Sequence, residues 1–371
     1  MTAGAALADR LEGSRIVICA GPGGVGKTTT AAALALGLAA RGQRVAVVTI
    51  DPARRLADAL GLEELADEPR RIEAERLPGF RPAPGGELWA MTLDAKRTFD
   101  DLIERLAPDA AARDQVLSNP IYQQISTAVA GSHEFTAIAK LHDLDAEGDY
   151  DVVVLDTPPS RNALDFLDAP GRLTSFFQGR AIRLLMRPAG LGSRLLGAGT
   201  GAVFSILQRA TGVDLLDDVA AFFRALGGMV DGFPERAARV EKLLADPATR
   251  FVLVCSPEPG PRSEALFLAE RLRTSGMALA AAVVNRVEPP PGELPAGPEV
   301  LSSRLEPALA ERVLAAARVQ ARRAAHDAAG VEALRAGVDG TPVFVVEQLD
   351  EDVHDAAGLA RVAARLLPLE D

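Results

Sequence analysis

The sequence predicts an α/β fold in which a parallel sheet is flanked by helices and carries an inserted helical subdomain. Three observations point there. The apolar run Arg15-Ile16-Val17-Ile18-Cys19-Ala20 passes through a glycine-rich loop directly into the alanine- and leucine-rich stretch 30–40, the pattern of strand, loop and helix. Unbroken apolar runs at 43–50 and 150–155 lack the alternation of a half-exposed strand, so they read as strands buried on both faces, and each ends in an aspartate. Finally, Arg250–Cys255, a helical pattern over 262–275 and Leu279–Asn285 give strand, helix, strand, which is a parallel crossover.

Taken in order, residues 1–14 read as a short, partly helical leader without assignable chemistry. Gly42 closes the first long helix before the strand 43–50. The segment 61–87 is rich in proline, glycine and charge and is expected to be an exposed excursion ahead of a strand at 88–93. From 94 to 144 apolar residues such as Phe99, Ile103 and Leu106 recur at helical spacing, which predicts two or three helices. The stretch 169–213 is apolar, holds six arginines and lacks any acid, a local reversal in an acidic chain; it reads as a core-packed helical face, a groove for an apolar client, or a surface for anionic membrane. Helices resume through 217–244. Beyond the crossover, prolines 289–291 and 295 mark a loop, an arginine- and alanine-rich helix runs to about 329, and 342–346 is a final strand. The closing helix carries Leu359, Val362 and Leu366 on one face and is expected to dock on the core. The chain, 1–371, is thus one domain with a helical subdomain from about 95–145 and 169–245.

Composition narrows the function. A 371-residue chain that is 48% hydrophobic can bury a large core, mostly aliphatic because aromatics make up only 4%. Its net charge of −11 argues against general attraction to nucleic acid or anionic lipid. No segment reaches the ~20 apolar residues of a membrane span, and the N-terminus lacks a signal pattern, so the expected location is the cytoplasm. Cys19 and Cys255 lie in separate strand-like runs and no C-x-x-C pair occurs, which disfavours a thiolate metal site.

The chemistry centres on Gly21-Pro22-Gly23-Gly24-Val25-Gly26-Lys27-Thr28-Thr29. This spacing matches G-x-x-x-x-G-K-[ST], in which backbone N–H groups and a helix N-terminus wrap a phosphate. Gly21, Gly23 and Gly26 also satisfy G-x-G-x-x-G, with Asp51 standing where a dinucleotide site would place its ribose-binding acid. Lys27-Thr28 decides for the first pattern, since a lysine for β/γ-phosphates and a hydroxyl for Mg²⁺ have no use in the second. Only four of the 40 basic residues are lysines, so Lys27 is not background composition. The run 152–156 is four apolar residues followed by Asp156, the pattern whose carboxylate holds a Mg²⁺-bound water. Asp51 ends its strand beside the loop, where ligands bind in open α/β sheets. Asn285 ends another strand, and its amide offers both a donor and an acceptor to an adenine edge.

These residues resemble the ArsA/Get3 family of ATPases, within the deviant-Walker class of P-loop NTPases that also holds the MinD and ParA proteins. The resemblance rests on Gly21–Thr29, Asp51-Pro52-Ala53 with Leu56–Ala59, Asp156–Ser160, Cys255–Glu258 and Val284-Asn285-Arg286. It implies an ATP-hydrolysing dimeric switch in which Gly23, Gly24, Val25, Gly26 and Thr29 cradle phosphate, Lys27 binds the β/γ-phosphates, and Thr28 and Asp156 hold Mg²⁺. It further implies that Asp51 acts on the attacking water, that Asn285 meets adenine, and that ATP and Mg²⁺ are the ligands.

The departures sharpen this. The family's second loop position is usually a lysine that reaches the partner's phosphates, and here it is Pro22. Either an arginine substitutes, or the chain works beside a paralogue that keeps the lysine. That leaves a homodimer or a heterodimer, and a non-catalytic ATP-binding subunit as the alternative to a self-sufficient enzyme. The absence of clustered thiolates opposes an arsenite pump and a zinc-linked dimer. Acidity opposes a ParA-like partitioning factor on DNA, which leaves a ParA/MinD-like positioning ATPase the less favoured reading. The expected client is an apolar or helical protein segment meeting 169–213.

Overall fold

The computed structural model describes residues 3–50, 55–77, 80–125, 132–157, 222, 232–293, 300–301, 305–353 and 355–368. The chain divides into two compact units, one of Met1–Thr92, Glu147–Leu164 and Ala245–Asp371, the other of Leu93–Ala146 and Asp165–Leu244.

The first unit is built on eight strands: β1 (Ile16–Ala20), β2 (Arg44–Thr49), β3 (Arg70–Ile72), β4 (Glu87–Thr92), β5 (Val152–Asp156), β6 (Thr249–Cys255), β7 (Ala278–Val287) and β8 (Val343–Glu347). They form one sheet in the order β3-β4-β2-β5-β1-β6-β7-β8. Every pairing is parallel except β3 with β4. The seven strands expected from apolar runs are all present. β1 lies between β5 and β6, and the chain fills one side of the sheet before crossing to the other. The C-terminal end of β1 is therefore the switch point at which a crevice opens in a doubly wound sheet.

Six described helices flank this sheet: α1 (Ala3–Leu11), α2 (Lys27–Ala40), α3 (Arg55–Ala59), α4 (Pro259–Thr274), α5 (Pro307–Gly337) and α6 (Ala356–Leu366). α2 is covered on nearly all sides, with the residues from Thr30 to Ala40 buried. Its run of alanines suits that position, because small side chains let the sheet and α6 approach together. α6 brings Leu359, Val362 and Leu366 inward, as its stripe predicts. At Gly37 an added Cβ would fall 3.0 Å from the Cβ of Leu367, so the glycine sets how closely the closing segment lies on α2.

Two expectations for this unit change. The segment 1–14, expected as a short and partly helical leader, does contain α1, but Leu7 and Leu11, one turn apart, are buried in the main core. The segment 61–87 is not simply exposed either. Leu62, Leu65, Ile72, Leu77 and Phe80 join the same core, and Arg70–Ile72 adds an antiparallel edge strand. Its few apolar residues are spaced irregularly among charges and prolines, so no period marks them.

The second unit contains the described helices Ala95–Leu106, Ala110–Leu117, Pro120–Ile125, Ser132–Glu147 and Gly232–Leu244. Four helices replace the two or three expected before residue 147. Asp94 and Asp109 each cap a helix through a side-chain oxygen, accepting from the backbone N–H of Arg97 and Ala112, and Pro120 begins another. Ile103, Val116, Tyr122, Ile138 and Leu141 are buried, and the Tyr122 hydroxyl donates to Asp100. The arginine-rich stretch 169–213 lies outside the described residues. Among the described residues no helix is long and apolar enough to cross a membrane.

Candidate nucleotide site

The glycine loop leaves β1 at the switch point and closes on α2. Gly24 and Gly26 have φ of 78° and 91°, left-handed conformations that L side chains adopt at a cost. Gly26 immediately precedes α2 and makes no side-chain cap. The first N–H groups of the helix therefore face the loop, as an anion requires. Gly21 is held for a different reason: a Cβ there would fall 1.9 Å from the carbonyl oxygen of Val254 on β6.

Strand register then gathers the polar groups. Cys19 of β1 and Thr49 of β2 both align with Asp156 of β5. Asp156 is buried, and its Oδ2 accepts from the hydroxyls of Thr28 at 2.7 Å and Thr49 at 3.0 Å. The hydroxyl of Thr157 donates to the carbonyl of Cys19 at 2.8 Å, tying β5 back to β1. Lys27 is buried and its Nζ donates to the carbonyl of Pro22 at 2.8 Å, so the ammonium folds over the loop it belongs to. Asn285, also buried, donates from Nδ2 to the carbonyl of Val25 at 2.9 Å. Its amide N–H is thus turned toward the loop.

A cleft of about 410 Å³ opens here, lined by Gly24, Gly26, Lys27, Thr28 and Thr29 on one side and by Arg55 and Asp58 of α3 on the other. Thr157, Arg286 and Val353 complete it. A second cleft of about 280 Å³ adjoins it and shares Thr29, Arg286 and Val353; its further lining includes Asn285, Gln348 and Leu349. A hydroxyl and a carboxylate oxygen beside a lysine are hard donors, few in number, which fits Mg²⁺ completed by water and phosphate oxygens. Among the described residues no cluster of three or more His, Cys, Asp or Glu offers a closed metal cage.

The sequence reading singled out Lys27, Thr28, Asp156 and the loop glycines, and the structure brings them together with Thr29 and Asn285. Asp51 lies outside the described residues, as do Pro158 to Ser160. Arg55, Asp58 and Thr157 line the cleft and Thr49 bonds Asp156, though the sequence pattern did not mark these four as site residues. Thr49 and Thr157 carried a faint signal, being polar ends of buried strands. Both cysteines are buried and unpaired in disulfides. Burial and the nearby Asp156 carboxylate push the Cys19 thiol far above its ordinary range, with Lys27 only partly opposing; burial pushes Cys255 up to about 12. Neither is a ready thiolate.

Residues 14–293 match the family described as anion-transporting ATPase, the ArsA ATPases. The chain belongs to this family. Among curated relatives, the ATPase GET3 of Malassezia globosa is 30% identical over 279 residues, covering 74% of each protein. The putative arsenical pump-driving ATPase 1 of Aquifex aeolicus is 28% identical over 283 residues, 74% of this chain and 64% of that protein. The ATPase GET3A of Arabidopsis thaliana is 28% identical over 248 residues, 67% of this chain and 60% of that protein. The chain therefore spans less than two thirds of the last two relatives. ArsA-family membership accords with the mostly parallel eight-stranded sheet and makes ATPase chemistry the property of the family at large.

Proposed function

We propose that this chain binds Mg-ATP at Gly21–Thr29 and hydrolyses it as a dimeric switch of the ArsA/Get3 type. The observation that carries the reading is the convergence of Lys27, Thr28 and Asp156 at the switch point, with the Thr28 hydroxyl 2.7 Å from the Asp156 carboxylate. In this reading Gly23, Gly24, Val25, Gly26 and Thr29 present backbone N–H groups to phosphate oxygens, and Lys27 leaves the Pro22 carbonyl for the β/γ-phosphates. Thr28 and Asp156 would hold Mg²⁺, Asp156 through water, and the charge it would supply there would offset that of the terminal phosphates. Asp51, two residues beyond the Thr49 that also bonds Asp156, orients the attacking water. The second cleft takes the nucleoside, with Asn285 at its edge toward adenine.

The switch couples nucleotide turnover to the helical subdomain of about 95–145 and 169–245, where an apolar or helical client would meet 169–213. Its setting would be the cytoplasm. A second reading is favoured by Pro22, which offers a carbonyl to Lys27 but no side-chain cation to a partner. There the chain is the ATP-binding half of a heterodimer with a lysine-bearing paralogue.

The test is Mg²⁺-dependent ATP turnover by the chain alone and with that paralogue, with Lys27→Ala and Asp51→Asn as controls. Turnover by the chain alone that both substitutions abolish supports the self-sufficient enzyme. Binding without turnover until the paralogue is added supports the heterodimer. Absence of ATP binding overturns both.

A further inference from the structure

Arg286 follows Asn285 on β7 and is fully out of keeping with its neighbours: Asn285 and Val287 are buried, while Arg286 is exposed. Its φ is 60°, and among the described residues the only other non-glycine with positive φ is Asp339. An aspartate tolerates that region through short local hydrogen bonds, whereas arginine has no such compensation. The pairing of β7 with β8 also slips between Val284 and Val287. An irregularity of this kind re-aims a side chain, and strain of this kind persists where the surroundings impose it.

The side chain is re-aimed to a specific place. Nη1 lies 3.4 Å from the carbonyl of Gly24, a long and weak hydrogen bond to the loop. Among the described residues Arg286 has no carboxylate within ion-pair distance. It lines both clefts, at their junction. The charges on either side differ. The loop cleft sets Lys27 and Arg55 against the one carboxylate of Asp58, whereas the adjoining cleft is rimmed by Glu347, Glu351 and Asp352. A nucleotide placed with its phosphates among those three acids would be repelled, so the field itself selects which end enters which cleft.

We propose that Arg286 is the residue that reads the innermost phosphate of the nucleotide from its own subunit. The guanidinium leaves the Gly24 carbonyl and pairs with a non-bridging oxygen of the α-phosphate, which falls at the junction when Lys27 and Thr28 take the terminal phosphates. This rests on the nucleotide reading above and extends it to a residue that neither the loop pattern nor the metal pattern contains. A charge-assisted pair with phosphate that the bound nucleotide shields from solvent, replacing a long bond to a carbonyl, is worth about ten- to a hundredfold in affinity.

The experiment is calorimetric titration of the full chain with ADP and with ATP at two ionic strengths, for wild type, Arg286→Gln and Arg286→Lys. Circular dichroism checks that each variant is folded. The expected result is that Arg286→Gln weakens ADP and ATP by the same factor of about ten or more, that its affinity falls less steeply with salt, and that Arg286→Lys regains part of the loss. Glutamine keeps an N–H for the Gly24 carbonyl, so a purely structural role would leave its affinity unchanged. Wild-type binding with Arg286→Gln undiminished overturns this assignment alone. A loss confined to ATP also overturns it, since it would put Arg286 at the terminal phosphate. Failure of the wild type to bind either nucleotide overturns the functional reading and this assignment with it.

Discussion

Gly26→Ala probes the joint between the loop and β7 directly. An added Cβ would stand 2.2 Å from Nδ2 of Asn285, and the residue must keep a φ of 91°. The left-handed conformation costs about 1–2 kcal/mol for an L residue. Displacing the Asn285 amide loses its bond to the Val25 carbonyl, a further ~1–2 kcal/mol. Against this, alanine lowers the entropy of the unfolded chain by about 0.5–1 kcal/mol. The net expectation is a loss of about 1.5–3 kcal/mol. Asn285→Ala alone should cost about 1–2 kcal/mol. In the double variant the hydrogen bond is lost once and the clash is gone, so the combined loss should fall short of the sum by about 1–2 kcal/mol. Urea unfolding followed by fluorescence reads this cleanly, because Trp89 is the chain's one tryptophan and sits on β4 of the sheet unit. Strict additivity of the two losses would refute the contact on which the reasoning rests.

Three further outcomes follow from other parts of the structure. Arg286→Gly should relieve the positive φ and raise stability by up to about 1 kcal/mol in the same urea assay, while weakening nucleotide binding; a destabilised variant would mean that the backbone there is not strained. The Asp151 carboxylate is held below its ordinary value of 3.8 by hydrogen bonds from the Arg44 side chain and backbone N–H. A depressed carboxylate contributes stability above its unfolded pKa and loses it as pH falls through the folded one. The difference between wild type and Asp151→Asn should therefore be steady near neutrality, under about 1 kcal/mol for so exposed a pair, and vanish on acidification below pH 3.8; a difference that grows on acidification would contradict this. Finally, a thiol-reactive dye at pH 8 should leave Cys19 and Cys255 untouched in the native chain and label both after denaturation, since burial raises both thiols; rapid native labelling would contradict that burial.

How much was legible in the sequence depends on how each element announces itself. The sheet strands did so because burial on both faces demands unbroken runs such as Val45–Val48 and Val152–Leu155. The meeting of Lys27, Thr28 and Asp156 was readable because the glycine-loop spacing and an apolar run closed by an aspartate fix these residues to the ends of neighbouring strands. Thr49 was not, because a buried threonine at a strand end looks like any β-branched residue until register places it on Asp156. Asn285 was read for its hydrogen-bonding edges, yet its donor turns out to hold the Val25 carbonyl, a contact 260 residues away that no local pattern contains. Arg286 was hidden for a related reason: its meaning lies in a backbone conformation and a slipped register, neither of which composition encodes. The core segment around Leu77 escaped because its apolar residues follow no period, and α1 because Leu7 and Leu11 are a single helical turn of signal.

The enclosure of α2 carries a consequence for how the protein is made. The helix that opens at Lys27 has α6 and Leu367 for its outer wall. Those residues emerge about 330 positions later, some 16–65 s at ordinary rates of synthesis. For that whole interval a nascent chain holds an alanine-rich helix with one flank bare to solvent and to other chains. The loop sequence is translated long before its supporting wall. The period of greatest exposure to misassembly is thus fixed by gene order, and shortening the wait by moving α6 to the front of the chain would test whether that interval limits the yield of folded protein.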